Sequence, residues 1–446
     1  MNYDVIIIGG GAAGLCTAIN SKNEKNSILI IEHNDRVGKK ILKTGNGKCN
    51  LTNKYCKADL FFSNPEGLVP YNTSLDINFI IDILKRYDCD ATIDFFKKIG
   101  VELKEKDGYV YPLSEQASSV LDALRYELEI LGIDVELGYE PKKIEKKDDK
   151  FFIDDKFTCD KLVIATGGMS DPDSGSDGTG YRLVQSFWHT IFKTYPALCG
   201  LKSEKDYFKE LKGVRADALV HVMFEGVKEP ICSVRGNVQF NDYGLSGIPI
   251  MQVSGNVAKA LAMGLKIEIK VDVMPDYSFD EVALILKNKI DSLSDEAKEK
   301  LTLSWLLNGL VNKKLASVFI KECSLSPGKS ILKSLEMFEK SDQFEAGVIC
   351  AKHLDDFKTT SDYMCARIAG VIKHFKQEVT ETTGYESSQV TKGGIPTDEI
   401  NPITLESLKV KNLFFAGELI DVDGICGGYN LQWAFSSAFV VSESLK

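Results

Sequence analysis

Val5-Ile6-Ile7-Ile8-Gly9-Gly10-Gly11-Ala12-Ala13-Gly14 is the stretch on which the reading of this chain turns. Its first four residues form a continuous apolar run, as in a strand buried on both faces. Glycines follow at once, and Leu15, Ala18 and Ile19 continue at helical spacing. Ser27-Ile28-Leu29-Ile30-Ile31 is a second apolar strand, with Glu32 at its end. Gly9 permits the tight turn, Gly11 lets the backbone approach a pyrophosphate, and Gly14 lets helix and strand pack closely. Glu32 would accept hydrogen bonds from an adenosine ribose. A lone GxGxxG is weak, but strand, glycines, helix, strand and acid in register predict a Rossmann-type, dinucleotide-binding α/β domain.

The bulk properties narrow the class. A chain of 446 residues has room for two or three domains, and 44% hydrophobic with 26% charged residues is ordinary for a globular protein. A formal charge of −10 argues against nucleic acid or an anionic membrane as the main partner. No apolar run approaches the ~20 residues of a transmembrane helix, and no basic n-region precedes the first strand; a cytoplasmic location is expected. Eleven cysteines without a CxxC pair and five histidines make a zinc site or disulfide framework unexpected.

Downstream, Val37 to Asn53 (VGKKILKTGNGKCNLTN) is too polar and glycine-rich for a core helix. Its glycines, lysines and amides suit a loop around a diphosphate and ribityl chain. Residues 76–99 look helical, Val101–Leu103 and Tyr109–Tyr111 read as a hairpin around Asp107-Gly108, and Ser114-Glu115-Gln116 caps a helix to about Leu131. Strands around Val135, Ile144 and Phe151–Ile153 lead to Lys161-Leu162-Val163-Ile164-Ala165-Thr166-Gly167-Gly168, a buried strand ending in small residues. A glycine-rich rim, Ser174 to Gly180, follows. From about residue 190 period-two segments appear, and the chain divides into a first part of the dinucleotide domain (1–189), an insert (190–383) and a second part (384–446). Within the insert, 190–275 and 341–383 are expected to be β-barrel-like and 276–340 helical. In the last part, Gly427-Gly428 opens an apolar helix at Tyr429, a start whose N–H groups and dipole suit an anion.

These motifs together resemble the BaiN/YhiN-like family of flavoproteins, also labelled aminoacetone-oxidase-like. The carrying stretches are GGGAAG, TGNGKCNLTN, ATGG with GSDGTGY, FNDYGLSG, TKGGI and GELIDVDGICGGYNLQWAFSS, in family order from residue 9 to residue 437. The resemblance implies non-covalent FAD, held by Gly11, Ala13, Gly14, Glu32, Lys39, Lys40, Gly45, Lys48, Cys49 and Asn50. It extends the contacts to Ala165, Thr166, Gly167 and Gly168, and to Gly417, Asp423, Gly428, Tyr429, Asn430 and Leu431 near the ring. Gly9, Ala12, His33, Thr44, Gly47, Gly394, Glu418 and Gly427 complete the candidate set. Lys48 stands where the family often has arginine, and Asn241 where it often has threonine; lysine cannot reproduce a bidentate guanidinium contact.

FAD supplies the redox chemistry and the protein places and tunes it. The helix start at Gly428–Leu431 is expected to favour negative charge on the reduced ring, with Tyr429 and Asn430 as tuning side chains. No second GxGxxG follows a strand, so NAD(P)H would act only as a transient donor. A small-molecule substrate is expected between the dinucleotide domain and the insert, with Asp242 and Tyr243 as candidates to contact it. Three functions stay open at this point. They are an NAD(P)H-linked reductase of an activated C=C bond in a hydrophobic molecule such as a dehydro-bile acid, an oxidase of a small amine such as aminoacetone that releases peroxide, and a flavoprotein without small-molecule turnover.

Overall fold

The computed structural model describes residues 1–63, 77–225, 227 and 229–446. The chain forms two compact units, Met1–Cys199 with Thr383–Lys446, and Gly200–Thr382.

In the first unit the fully buried Val5–Ile8 run becomes the end of strand Asn2–Ile8. It pairs in parallel with Ile28–Glu32 on one side and Phe157–Ile164 on the other. Asp134–Leu137 adds a parallel edge beyond Ile28–Glu32. Phe157–Ile164 is shared along its second edge. Its start pairs antiparallel with Lys150–Ile153, and its end pairs in parallel with Leu413–Phe415. That last strand brings the chain's final segment into the sheet begun by its first. Helix Tyr429–Leu445 then packs against helix Ala12–Ser21. Its twelve buried residues, Trp433 and Phe435 among them, give it two apolar sides rather than one stripe.

Several sequence expectations shift in detail. The helical stretch 76–99 resolves into Ile77–Arg86 and Cys89–Lys98, because the Asp88 carboxylate accepts from the Ala91 N–H and starts a new helix; Asp76 lies outside the described residues. The hairpin forms as Leu103–Lys106 with Tyr109–Pro112, and Thr52–Asn53 adds a third strand beside Tyr109 and Val110. Helix Ala117–Ile130 has no side-chain cap; Ser114 reaches the Gln116 N–H and the Ser119 hydroxyl instead. Residues 190–199, read as part of the insert, belong to the first unit, where Tyr195–Ala197 pairs with Val390–Lys392.

The second unit carries a seven-stranded antiparallel sheet in the order Phe375–Val379, Ile267–Asp272, Arg215–Phe224, Cys232–Asn241, Gly244–Gly247, Leu201–Lys202 and Glu381–Thr382. The first and last strands of this order are consecutive in the chain, separated only by Thr380, whose N–H donates to the Lys202 carbonyl, so one nearly continuous segment borders both Ile267–Asp272 and Leu201–Lys202. The largest correction falls here. Residues 341–383, expected to be β-structure, hold helices Gln343–Cys350 and Thr360–Lys373 before the strands at 375–379 and 381–382. A capping box at Thr359 and Asp362 starts the second of these helices.

Candidate functional site

Every candidate cofactor residue lies in the first unit. Gly9 (φ +105°) needs its missing side chain, since a Cβ there would sit 2.5 Å from the Ala165 carbonyl oxygen; at Gly14 it would sit 1.9 Å from the Gly9 carbonyl oxygen. Gly11 differs, because a Cβ there would meet nothing within 4 Å. The N-terminus of helix Ala12–Ser21 thus opens onto free space, with no side-chain cap and no acid in its first turn. Such an end suits a diphosphate. The adjacent Glu32 is buried, accepting from the Gly10 N–H at 2.8 Å and from the Asn34 N–H and amide at 2.9 and 2.8 Å. A carboxylate has about four acceptor positions, so one is left for a ribose hydroxyl. His33 stands 3.9 Å from the same carboxylate.

The loop after this acid is built from strained turns. Gly45, Asn46, Gly47 and Cys49 all take positive φ, and a Cβ on Gly45 would sit 2.9 Å from the Asn50 nitrogen. The Thr44 hydroxyl is turned back onto the Ile41 carbonyl. Asn50 is 7% exposed and its Oδ1 has no partner, as is true of the Thr166 hydroxyl at the end of Phe157–Ile164. Buried acceptors of this kind are costly unless a ligand meets them. Gly167 and Gly168 complete the wall, for a Cβ on either would crowd Ser176 (2.9 Å) or Thr391 (2.4 Å). Open space at Gly11 and orphaned polar atoms at Asn50 and Thr166 fit a bound dinucleotide.

The lysines separate. Lys40 reaches Glu418 at 2.9 Å, and Glu418 also accepts from the Thr391 N–H at 2.6 Å, which ties the first loop to the last segment. Lys39 is held by Asp35 and Asn34. Lys48, half exposed, pairs with Glu115 at 2.7 Å, so its ammonium is directed to the surface. Burial pushes the Cys49 thiol up to about 12, which leaves it protonated and unreactive.

The far end of the sequence closes the site. Gly417 sits against the first helix, where its Cβ would be 2.8 Å from that of Ala13. It is clamped by the Ser437 hydroxyl and by the Trp433 indole N–H. Gly394 (φ +150°) lies against the Leu419 carbonyl, and Gly428 (φ +96°) against Thr52. Helix Tyr429–Leu445 starts at Gly428 without a side-chain cap, which leaves first-turn N–H groups of Tyr429, Asn430 and Leu431 without intrahelical partners.

Two expected tuning side chains have other duties. Asn430 accepts from the Gly424 N–H at 2.8 Å and donates to the Gly424 carbonyl at 2.9 Å. The Tyr429 ring is buried edge-on against Phe61, 6.0 Å between centroids.

Residues that sequence reasoning passed over stand nearby. Tyr109 and Tyr111 project from one side of their strand, the first beside Gly427 and the second beside Gly45. They present half-buried aromatic rings and neutral hydroxyls, both held above the usual tyrosine value by burial. Their alternation in Tyr109-Val110-Tyr111 was the available signal. Lys392 is buried and meets Asp423 at 3.0 Å. Burial pushes the Asp423 carboxyl up, with Lys392 pulling against it. Beside the glycine-rich rim a cleft of about 430 Å³ is lined by Met169, Thr179, Tyr181, Arg182 and Phe192, within the range of small-ligand sites.

Asp242 and Tyr243 belong to the second unit. Asp242 is ionised at the surface, where the Lys212 ammonium at 2.6 Å holds it below the usual carboxylate range. Tyr243 accepts from the Asn241 amide. A carboxylate so held has no proton to supply near neutral pH.

An uncapped helix end on a glycine loop, a ribose acid and a second helix end define the site of an FAD-binding Rossmann protein. The chain belongs to the HI0933-like family, whose Rossmann-domain model matches residues 3–444. It is 32% identical over 443 residues to a 3-dehydro-bile acid delta(4,6)-reductase of Clostridium scindens, covering 98% of each chain. It is also 27% identical to a ribosomal RNA dihydrouridine synthase of Escherichia coli, covering 99% of this chain and 98% of that one. A protein of the same name from Haemophilus influenzae is 25% identical with the same coverage. Family and site together make this chain an FAD-dependent oxidoreductase.

Proposed function

We propose that the protein reduces a C=C bond conjugated to a carbonyl, using FAD reduced by NADH or NADPH. One observation carries the reading. The relatives' names differ in substrate but agree in reaction, since a 3-dehydro-bile acid delta(4,6)-reductase and a dihydrouridine synthase each saturate a C=C bond beside a carbonyl. FAD supplies the electron pair. The residues of this chain bind the diphosphate at Gly11, hold the ribose at Glu32 and place a helix N-terminus at Tyr429 where negative charge would gather. Tyr109 and Tyr111, protonated and flat, suit a planar conjugated substrate and a proton for the carbon next to the carbonyl.

The substrate we favour is a hydrophobic small molecule of the dehydro-bile-acid kind, after the relative of higher identity. The second reading is a uracil in ribosomal RNA, supported by the nearly full-length match to two such synthases; the charge of −10 is set against it. Anaerobic mixing with NADH or NADPH tests the donor, and bleaching of the flavin is expected. Bleaching by a small amine alone would replace this reading with an amine oxidase. Incubation of the reduced protein with a 3-keto-4-ene steroid, and separately with ribosomal RNA lacking dihydrouridine, assigns the substrate by which of the two gains hydrogen.

A further inference from the structure

Lys392 is 6% exposed, yet Asp423 Oδ1 at 3.0 Å is the one acceptor its ammonium meets among the described residues. An ammonium carries three donors, so two are left in a place largely closed to water. The ammonium also lies over the ring of Phe62, 5.7 Å from Nζ to the ring centre. A buried ion pair of this kind contributes little that apolar packing would not, and the strand does not depend on it. Val390–Lys392 is already held by backbone pairing to Tyr195–Ala197 and by the Thr391 hydroxyl, which accepts from the Met169 and Ser170 N–H groups.

Placement supplies the reason for the pair. Asp423 is followed by Gly424, whose backbone is gripped on both sides by Asn430 in the first turn of the last helix. The Asp423–Gly424 strand therefore joins two sources of positive potential, the lysine ammonium and the helix N-terminus. Gly393 and Gly394, which follow Lys392 directly, take φ of +96° and +150° and keep the backbone bare of side chains there.

We propose that Lys392 is a positioning residue for the flavin, donating to a carbonyl oxygen of its ring and raising its redox potential, with Asp423 as the counter-charge that orients it. The proposal rests on FAD binding at this site and is independent of which substrate is reduced. No bond to the cofactor forms or breaks; the ammonium stabilises negative charge that the ring gains with electrons.

The test is the midpoint potential of bound FAD in the full-length protein, measured against reference dyes. Lys392→Met should favour the oxidised form by about tenfold, a fall of about 30 mV for a two-electron couple. Asp423→Asn, which keeps the ammonium and removes its counter-charge, should move the potential upward. Lys392→Arg, which keeps the charge, should return it toward that of the natural chain. Opposite shifts in the first two variants are not produced by a merely structural pair. Unchanged potentials in both, with FAD bound, would overturn the proposal. If Lys392→Met fails to fold or hold FAD, the direction of the Asp423→Asn shift decides alone. A natural chain that does not bind FAD would overturn the cofactor reading itself.

Discussion

Asn430 shows how a residue in a cofactor motif can be structural. Its amide is used on both polar groups of Gly424, so replacing it strips a partner from each of the two peptide units that flank this buried residue. Asn430→Ala should cost about 1–3 kcal/mol of stability, read as a lower urea midpoint at unchanged slope. A loss of that size without a shift of flavin potential would confirm that the side chain builds the turn and does not tune the ring. Cys49 makes a second case. Its thiol is fully buried and pushed up to about 12, and the thiolate is the reactive form. Alkylation at neutral pH followed by peptide mass analysis should leave Cys49 unmodified in the native protein and modified after unfolding. Modification at a rate like that of an exposed thiol would contradict its placement.

At the scale of elements, the last helix is fixed by a polar cluster inside the core. Gln432, fully buried, accepts from the Thr52 and Thr92 hydroxyls at 2.5 and 2.9 Å and donates to the Tyr87 carbonyl and the Ser436 hydroxyl. Gln432→Leu would strip the Thr52 hydroxyl of its partner, at about 1–3 kcal/mol, whereas Thr92 keeps the Asp88 carbonyl and Ser436 keeps the Tyr87 carbonyl. FAD affinity should fall with it, because the helix start at Gly428 is packed on Thr52; a titration showing unaltered affinity would separate the cluster from the site. In the second unit Asp362 joins helix Thr360–Lys373 to Phe279–Asp291 through Lys287 at 2.6 Å. Burial works to raise its carboxyl, but Lys287 and the Lys358 and Thr359 N–H groups outweigh it and hold the folded value low. The folded pKa lies below the unfolded one, so its stabilisation is present above about pH 3.9 and is lost as pH falls through the folded value. Asp362→Asn should flatten that acid limb of a stability-against-pH curve, and an unaltered limb would count against it.

What could be read from sequence follows from how far apart partners lie. The glycine loop was legible because Gly9, Gly11 and Gly14 act on their neighbours, and Glu32 follows within one strand–helix–strand unit. Lys392 with Asp423, and Gln432 with Thr52, are separated by 31 and 380 positions, and no local pattern marks such pairs. Residues 341–373 are helical where β-structure is expected because the capping signal Thr359-Thr360-Ser361-Asp362 outweighs the period-two pattern of the segments that precede them.

On the scale of the molecule, one unit holds every cofactor candidate and begins and ends the chain, while the other carries an antiparallel sheet and most of the remaining helices. Binding that involves only the folded first unit should raise its melting temperature with FAD concentration by mass action, leaving the second unit's transition in place if the two melt separately. The chemistry is tested more directly by one experiment. The FAD-loaded protein is reduced photochemically without oxygen and mixed with a 3-keto-4,6-diene steroid. Reduction of a carbonyl-conjugated C=C bond predicts that the visible absorbance of oxidised flavin returns, with steroid product heavier by two hydrogens in equal amount. If the flavin stays reduced with that steroid and with uracil-containing ribosomal RNA, and reoxidises only on admission of oxygen, the protein is not a reductase of such bonds.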